Sequence, residues 1–298
     1  MPARKNPGAD KLVVTHEEYG PGYRRELIEH HNTRSASKDA GFLLPFLHDK
    51  QNILDCGCGK GSITLGIASE FASARVVGCD IGEKVLQEAQ IDAERGGLTN
   101  LSFEVGSIYA LPFSDNSFDA VIAHAVFQHL AMPDAAIAEL DRVLKPGGVI
   151  GLRDDDRGSM VLAPQSKCMD RAFEVMDLFM LDSDGDPFAG RKHRERLHDL
   201  GYVNIIGSAT CEADGTAHST LHRGDMAAAA FRGKLGQRAV EAGICSVQEC
   251  EKLAQACADW GRHPAAFDCI TWCEAVGTEV VLDFRPICSR FKMDQGFI

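Results

Sequence analysis

Two features in the first third of the chain could bind a nucleotide: a glycine-dense turn and an acid that follows it. Gly57, Gly59 and Gly61 alternate with other residues, and positions without a Cβ let the backbone turn sharply and approach a ligand closely. Asp80 ends an apolar run at residues 76–79, where an acid faces ribose hydroxyls in nucleotide-binding folds. The pair therefore predicts a cofactor that contains a nucleoside.

The glycine spacing argues against two common nucleotide sites. A dinucleotide fingerprint, G-x-G-x-x-G, would need its third glycine at the position that Ser62 occupies. The phosphate-binding pattern G-x-x-x-x-G-K-[ST] fails too, because Lys60 precedes a glycine instead of following one. What remains is D-x-G-x-G-x-G at residues 55–61. Taken alone, this turn could equally be a tight strand-to-helix connection.

A second group of residues could move a proton. His124, His129 and Asp154 follow two neighbouring apolar runs, and open α/β sheets build their sites at such strand ends. An unperturbed histidine titrates near pH 6.5, which suits a general base at neutral pH. We favour His129, because it stands five positions beyond the strand end and can reach over a cofactor. Alternatively, both histidines only shape the pocket and Asp154 caps a loop.

A parallel sheet would bring these residues together. Apolar runs predict seven strands, and helical periods alternate with the first five of them. We expect an α/β, doubly wound, mostly parallel seven-stranded sheet. The strands are predicted at residues 53–56, 76–79, 101–105, 120–123, 149–153, 202–206 and 267–273, and the helices at 23–31, 35–47, 63–72, 82–95, 135–144, 163–181, 190–200, 225–242 and 246–260.

The chain divides into four predicted parts. Residues 1–48 form an N-terminal arm and helical cap, 49–213 the cofactor-binding core, 214–265 a helical insertion that serves as a substrate lid, and 266–298 the last strand and tail. Four large apolar residues at 169, 173, 176 and 179 could line a substrate pocket, but core packing is favoured. The acidic turn at 182–186 lacks the Glu that closes a calcium loop, which favours a solvated turn.

Composition restricts the partners. The chain of 298 residues carries a net charge of -12, which repels phosphate backbones and anionic membranes. Its N-terminus has no apolar core, and no run approaches the roughly 18 apolar residues of a membrane span, so a cytoplasmic protein is expected. The eleven cysteines form no C-x-x-C pair and no zinc-type cluster, so no metal is expected.

Longer motifs reveal a family resemblance. L-P-F-x-D-x-S-F-D at residues 111–119 and R-V-L-K-P-G-G at 142–148 follow the glycine turn and Asp80 in order. This arrangement resembles class I S-adenosylmethionine-dependent methyltransferases of the ubiquinone-biosynthesis-type branch. H-x-V-x-Q-H-L at 124–130 and R-D-x-D at 153–156 are similar to small-molecule methyltransferases of fungi and actinobacteria, many of them in secondary metabolism. The resemblance is strong over residues 34–153 and weak elsewhere.

The resemblance implies transfer of a methyl group from S-adenosylmethionine to a small-molecule acceptor by in-line displacement, leaving S-adenosylhomocysteine. It places Gly57 and Gly59 against the methionine part, Asp55 near the ammonium and Asp80 at the ribose. Ser107 stands where the family usually has Asp for the adenine amino group, so that contact would be weaker or made by the backbone of Ile108. The full set of expected cofactor residues is Arg34, Asp55, Gly57, Cys58, Gly59, Asp80, Ile81, Ser107, Ile108 and His124, with Arg34 a partner for the carboxylate.

Two rival functions remain open. An RNA methyltransferase would carry a basic stripe with interleaved aromatics, and the sequence has only one short basic cluster, at residues 191–194. A non-catalytic protein could keep the fold and the cofactor as a scaffold. The N-terminal arm could also dock on a neighbouring subunit and so form a homodimer.

Overall fold

A seven-stranded sheet runs through the computed structural model, which describes residues 34–280. The strand order is β3-β2-β1-β4-β5-β7-β6. The strands are β1 (Asn52–Cys56), β2 (Arg75–Asp80), β3 (Leu101–Val105), β4 (Phe118–His124), β5 (Leu144–Ala163), β6 (Val203–Asp214) and β7 (Phe267–Thr278). The first five pair in parallel, and β7 lies antiparallel between β5 and β6. The predicted mostly parallel, doubly wound sheet is confirmed.

Helices cover both faces of this sheet. They are α1 (Ala36–Asp39), α2 (Ser62–Glu70), α3 (Glu83–Arg95), α4 (Pro133–Val143), α5 (Lys167–Asp182), α6 (His193–Asp199), α7 (Ala217–Arg232), α8 (Lys234–Glu241) and α9 (Val247–Gly261), with short 3-10 turns at Leu44–Phe46, Phe127–His129 and Gly190–Lys192. Apolar residues of α1 and α2 pack on one face, and those of α4 and α6 on the other. A further apolar cluster joins α5 to α7, α8 and α9, away from the sheet core.

Side-chain caps explain where several helices begin. Ser166 accepts from the Met169 amide at the start of α5, and Ser246 accepts from the Glu249 amide at the start of α9. Thr216 and Ser219 form a reciprocal capping box at the start of α7. Because Ala217 follows this cap directly, α7 begins at residue 217 rather than at 225. The predicted helix 225–242 is in fact two helices, separated at Gly233.

The N-terminal segment departs from prediction. The expected helix 35–47 is only the single turn α1 followed by the 3-10 turn, because Gly41 disfavours helical continuation and Pro45 lacks the amide hydrogen that a helix needs. The helix expected at 23–31, and with it the arm expected to dock on another subunit, lies outside the described residues.

Strands β5 and β6 are longer than expected. The sequence predicts them at 149–153 and 202–206, whereas both continue beyond those limits as partners of β7. The residues that follow Arg153 are charged and lack the apolar pattern from which strands are predicted. They nevertheless remain in the strand, because neighbouring side chains pair with their charges. The Asp156 carboxylate, for example, is held by the Arg191 guanidinium. The extended strands carry the helical layer that α5 and α7–α9 form beside the sheet.

Candidate active site

The first of two neighbouring cavities lies at the carboxyl ends of β1, β2 and β4. Its volume is about 300 Å³. Most of the expected cofactor residues line it, namely Arg34, Asp55, Gly57, Cys58, Gly59, Asp80, Ile81, Ile108 and His124. We call it the cofactor cavity. The structure thus brings together nine of the ten residues named for the cofactor.

The glycine turn forms one wall of the cofactor cavity. Gly57, Gly59 and Gly61 all have positive φ angles, of 75°, 52° and 73°. A Cβ on Gly57 would lie 2.4 Å from Cγ2 of Val126, and a Cβ on Gly61 would lie 2.9 Å from the ring of Phe103. A Cβ on Gly59 would meet nothing within 4 Å. Two glycines are therefore required by close packing, and Gly59 opens backbone toward the cavity.

Asp80 is oriented by the backbone around it. The amide of Gly59 donates to Oδ2 at 2.9 Å, and the amide of Gly82 donates to Oδ1 at 2.8 Å. A carboxylate oxygen can accept more than one hydrogen bond, so both oxygens keep the capacity to accept from a ligand. The carboxylate is thereby held at the end of β2, facing the glycine turn.

Asp55 lies at the base of the same turn and is almost fully buried. Its pKa is raised to about 6, mainly because burial penalises the charged form, and the nearby Asp80 carboxylate acts in the same direction. A hydrogen bond from Thr64 Oγ1 at 2.6 Å and the Arg34 guanidinium stabilise the carboxylate and oppose this rise. Burial also raises the pKa of the Cys58 thiol well above its ordinary value. The cavity floor therefore holds an acid whose charge would be stabilised by a bound cation.

His124 belongs to a buried ionic cluster behind the cavity. Arg153, which is fully buried, donates to His124 Nε2 at 2.5 Å and to Asp39 Oδ1 at 3.0 Å, and it also pairs with Glu274 at 3.2 Å. Because a guanidinium can only donate, Nε2 of His124 must accept, and the ring is neutral. The ring also stacks on Trp272, with 5.1 Å between centroids. His124 is thus committed to the cavity wall.

The cluster also holds the segment that carries Arg34. Oδ2 of Asp39 accepts from the Ser35 amide at 2.7 Å, while Oδ1 faces Arg153. Arg34 itself lies with its guanidinium 5.9 Å from the ring of Trp272 and lines the cofactor cavity. One buried aspartate therefore fixes this basic side chain at the mouth of the cavity.

A second, larger cavity of about 490 Å³ lies between the sheet edge and the helical layer. We call it the acceptor cavity. The four large apolar residues for which core packing was favoured, Met169, Phe173, Met176 and Phe179, all line it from α5. That interpretation was therefore incomplete: three of them do pack in the helical cluster, but all four also present surface to the cavity. The insertion contributes the opposite wall through α7, α8 and Trp260 of α9.

The two cavities meet at His129 and Ser183, which line both. The pKa of His129 is lowered to about 4, mainly by burial; the Asp154 carboxylate opposes this shift and the Arg34 guanidinium adds to it. His129 is therefore neutral at pH 7. The acidic turn after α5 completes the junction, with Asp184 on the cofactor side and Gly185 on the acceptor side.

The structure does not bring Asp154 to either cavity. Its Oδ1 accepts from the Gln128 amide at 3.1 Å, its Oδ2 accepts from His193 Nε2 at 2.9 Å, and the residue is fully buried. Since side chains alternate across a strand, the next residue faces the other way. Asp155 lines the acceptor cavity, and burial raises its pKa to about 6. Among residues 34–280, its buried Oδ1 has no hydrogen-bond partner.

Ser107 is also absent from the cavity lining. Its Oγ accepts from the Tyr109 amide at 3.1 Å, a local turn that serine often forms, so the hydroxyl is used within its own loop. Ile108 and Tyr109 line the cavity in its place. Other lining residues have no motif to reveal them: Ala125 adopts φ of 56° at the end of β4, and only the structure shows such a position.

Two features are not found among residues 34–280. Across residues 34–280, no group of three His, Cys, Asp or Glu side chains is arranged to hold a metal ion. Every helix in the same range is too short or too polar to traverse a lipid bilayer.

A seven-stranded sheet with one antiparallel strand, and a glycine turn facing an acid at the end of β2, is the arrangement typical of S-adenosylmethionine-dependent methyltransferases. Comparison with known proteins agrees: the sequence profile of the family described as "Methyltransferase domain" matches residues 47–182. An uncharacterised methyltransferase of Schizosaccharomyces pombe is 34% identical over 215 residues, which cover 69% of this chain and 77% of that protein. The chain belongs to the methyltransferase domain family.

Two further relatives extend this picture. A sterol 24-C-methyltransferase of Gibberella zeae is 42% identical over 101 residues, which are 34% of this chain and 26% of that protein. The crystal structure of phosphoethanolamine N-methyltransferase 2 from Haemonchus contortus with S-adenosyl-L-methionine superposes with a TM-score of 0.51 at 18% identity, covering 82% of this chain and 52% of that chain. This structural likeness concerns the fold.

Proposed function

We propose that this enzyme transfers the methyl group of S-adenosylmethionine to a small, largely apolar acceptor bound in the acceptor cavity. The observation that carries the proposal is the junction of the two cavities at His129 and Ser183. Methyl transfer needs the nucleophile and the methyl carbon held about 3 Å apart and in line, which two adjoining cavities can provide. The sterol methyltransferase relative supports an apolar acceptor.

The cofactor cavity has the donors and acceptors that S-adenosylmethionine requires. Asp80 would accept from the ribose hydroxyls, Asp55 would stabilise the ammonium, and Arg34 would pair with the carboxylate. The backbone at Gly57 and Gly59 would lie against the methionine part, and Ile81 and Ile108 would flank the adenosine. When bound, the cofactor supplies an electrophilic methyl group attached to a sulfonium.

His129 is the proposed general base. Burial keeps its ring neutral at pH 7, so the ring can accept a proton, although a pKa of about 4 makes it a weaker base than an unperturbed histidine. Asp155 faces the acceptor cavity nearby on β5 and could receive a hydrogen bond from a hydroxyl or amine of the acceptor. Asp154 is bonded to Gln128 and His193, and His124 is bonded to Arg153, so we assign proton handling in the acceptor cavity to His129 and Asp155.

We further propose that the enzyme belongs to the ubiquinone-biosynthesis-type branch and acts on a secondary metabolite, which the motifs at residues 111–119, 142–148 and 124–130 support. Methionine, phenylalanine and alanine of α5 and α7 supply most of the apolar lining of the acceptor cavity. Such a lining suits an organic metabolite rather than a nucleic acid, whose phosphates would also meet a chain of net charge -12.

The test is a methyl-transfer assay with S-adenosylmethionine labelled in the methyl group. The purified enzyme is incubated with a deproteinised metabolite extract in one reaction and with total RNA in another. We expect label to enter the metabolite fraction, where mass spectrometry identifies a product heavier by one methylene. Label entering RNA instead, at a rate that falls steeply with salt, would establish the rival RNA methyltransferase.

A further inference from the structure

The polar lining of the acceptor cavity has the opposite charge to the chain as a whole. Four basic side chains line it, against two carboxylates, in a protein whose net charge is -12. The basic residues are Arg157, Arg223, Lys234 and Arg238, and the acids are Asp155 and Asp268. Charged groups are uncommon in apolar ligand cavities unless they fix a ligand, so their pairing decides what they do.

Two of these arginines are neutralised by the protein itself. Arg223 donates to Asp268 Oδ2 at 2.9 Å, and Arg157 pairs with Asp177. Arg238 differs from both: among residues 34–280 its guanidinium has neither a carboxylate partner nor a hydrogen bond, and it lies over the ring of Phe179 at 5.2 Å. The ring holds one face of the guanidinium, while the edge that bears its hydrogen-bond donors stays available.

We infer that the acceptor carries an anionic group, such as a carboxylate, which Arg238 binds, on an apolar and preferably aromatic body. This inference rests on the proposed function and specifies its substrate class. A planar guanidinium matches a carboxylate with two parallel hydrogen bonds, and a half-buried, apolar setting strengthens that pair. Methionine and aromatic side chains of α5, together with Trp260, would enclose the body of the acceptor.

Polar side chains on opposite sides of the acceptor cavity would also orient the acceptor. Arg238 belongs to α8 in the helical layer, whereas His129 follows β4 and Asp155 lies in β5 of the sheet. An acceptor whose anion pairs with Arg238 would present its nucleophilic group toward the sheet, where the cofactor cavity adjoins. Arg238 is thus a specificity residue: it selects and orients the acceptor without touching the reacting atoms.

Calorimetry with two matched probes tests the inference without turnover. The anion 2-naphthoate and its neutral counterpart 2-naphthamide share one ring system, and each is titrated into enzyme saturated with S-adenosylhomocysteine, so that the cofactor cavity is filled. We expect 2-naphthoate to bind roughly tenfold more tightly than 2-naphthamide, and the preference to vanish in Arg238→Gln. Arg238→Lys should retain part of it.

A matched control and the contrary outcomes complete the experiment. Arg232→Gln removes an arginine of the same helical layer that pairs with Glu251 and does not line the cavity, and it should keep the wild-type preference. Equal binding of the two probes by the wild type would overturn the anion inference and leave the proposed function standing. Binding of neither probe, with the enzyme saturated by S-adenosylhomocysteine, would also overturn the anion inference, whereas the proposed function is judged by the labelled methyl-transfer assay. A preference that survives in Arg238→Gln would assign the anion to another residue.

Discussion

The cofactor cavity and the acceptor cavity are built in different ways. The first is made largely of backbone: a turn with three positive-φ glycines, two amides that orient Asp80, and the ends of β1, β2 and β4. The second is made of side chains from α5 and from the helices inserted between β6 and β7. A backbone site depends on few residue types and suits one invariant ligand, whereas a side-chain site can change its ligand by substitution.

This difference predicts two separable classes of defect. Changes in the cofactor cavity should weaken cofactor binding, and changes in the acceptor cavity should lower turnover while leaving cofactor affinity intact. The junction at His129 is the one place where a substitution could affect chemistry without removing either ligand. The predictions that follow use this contrast.

The largest effect is expected at the junction. His129→Ala should lower kcat by roughly 10² to 10⁴ at nearly unchanged cofactor affinity, because it removes the proposed base without altering the glycine turn. Steady-state kinetics with calorimetry of S-adenosylmethionine checks both quantities, and His198→Ala, an exposed histidine of α6, is the control. If kcat changes by less than about threefold across pH 6 to 9, the enzyme works by proximity alone.

Asp80→Ala should weaken binding of S-adenosylmethionine by at least roughly tenfold, because two hydrogen bonds from ribose to a charged group are lost at about 1.5–3 kcal/mol each. Asp92→Ala, on the exposed side of α3, should bind like the wild type. Calorimetry that finds equal affinity in the two variants, or tight binding of NAD by the wild type, would contradict the assignment of the cofactor cavity.

Gly57→Ala should weaken the same binding by roughly ten- to hundredfold, since an added Cβ would clash with Val126 and overpacking costs about 1–3 kcal/mol. Gly243→Ala is the matched control, because Gly243 has nearly the same φ angle, 73° against 75°, with nothing within 4 Å of its Cβ. Gly243→Ala therefore introduces the same backbone strain as Gly57→Ala without a steric clash. Equal affinities would show that packing at Gly57 does not shape the site.

The smallest effect concerns pH. Asp55 has a pKa of about 6 because it is buried, and a bound ammonium favours its charged form, so cofactor affinity should fall as pH drops below 6. The loss should reach about tenfold at pH 5 relative to pH 8. Asp55→Asn should bind more weakly at pH 8 and show a flat profile between pH 5 and 8. A wild-type profile that is already flat would exclude Asp55 as the titrating group.

The contrast between the two cavities also explains which features could be predicted from the sequence. The positions of the core strands and the glycine turn follow from local patterns, because a parallel core has continuous apolar strands and a turn of this kind needs glycine. The position of Asp80 follows from the sequence as well, because it directly ends the apolar run of the second strand. These features are properties of one segment at a time.

The sequence could not show which side chains of a strand face a cavity, or which residues far apart in the chain bond to each other. The prediction named Asp154 where Asp155 faces the acceptor cavity, a difference of one residue that alternation along β5 reverses. The resemblance predicts a weak adenine contact at Ser107 or one from the backbone of Ile108; the Ser107 hydroxyl accepts from the Tyr109 amide, and Ile108 lines the cofactor cavity. Arg153 and its cluster join α1, β4, β5, β6 and β7, and no local pattern identifies that set.

The separation of the two cavities is tested most directly by filling one of them. Ala230 lines the acceptor cavity from α7, so Ala230→Trp should occupy it, while Ala242→Trp places the same side chain at an exposed site after α8. Transfer of labelled methyl and calorimetry of S-adenosylmethionine are measured on the same preparations. The account predicts that Ala230→Trp lowers transfer by roughly a hundredfold or more with cofactor affinity within about threefold of wild type. Undiminished transfer in this variant would contradict it.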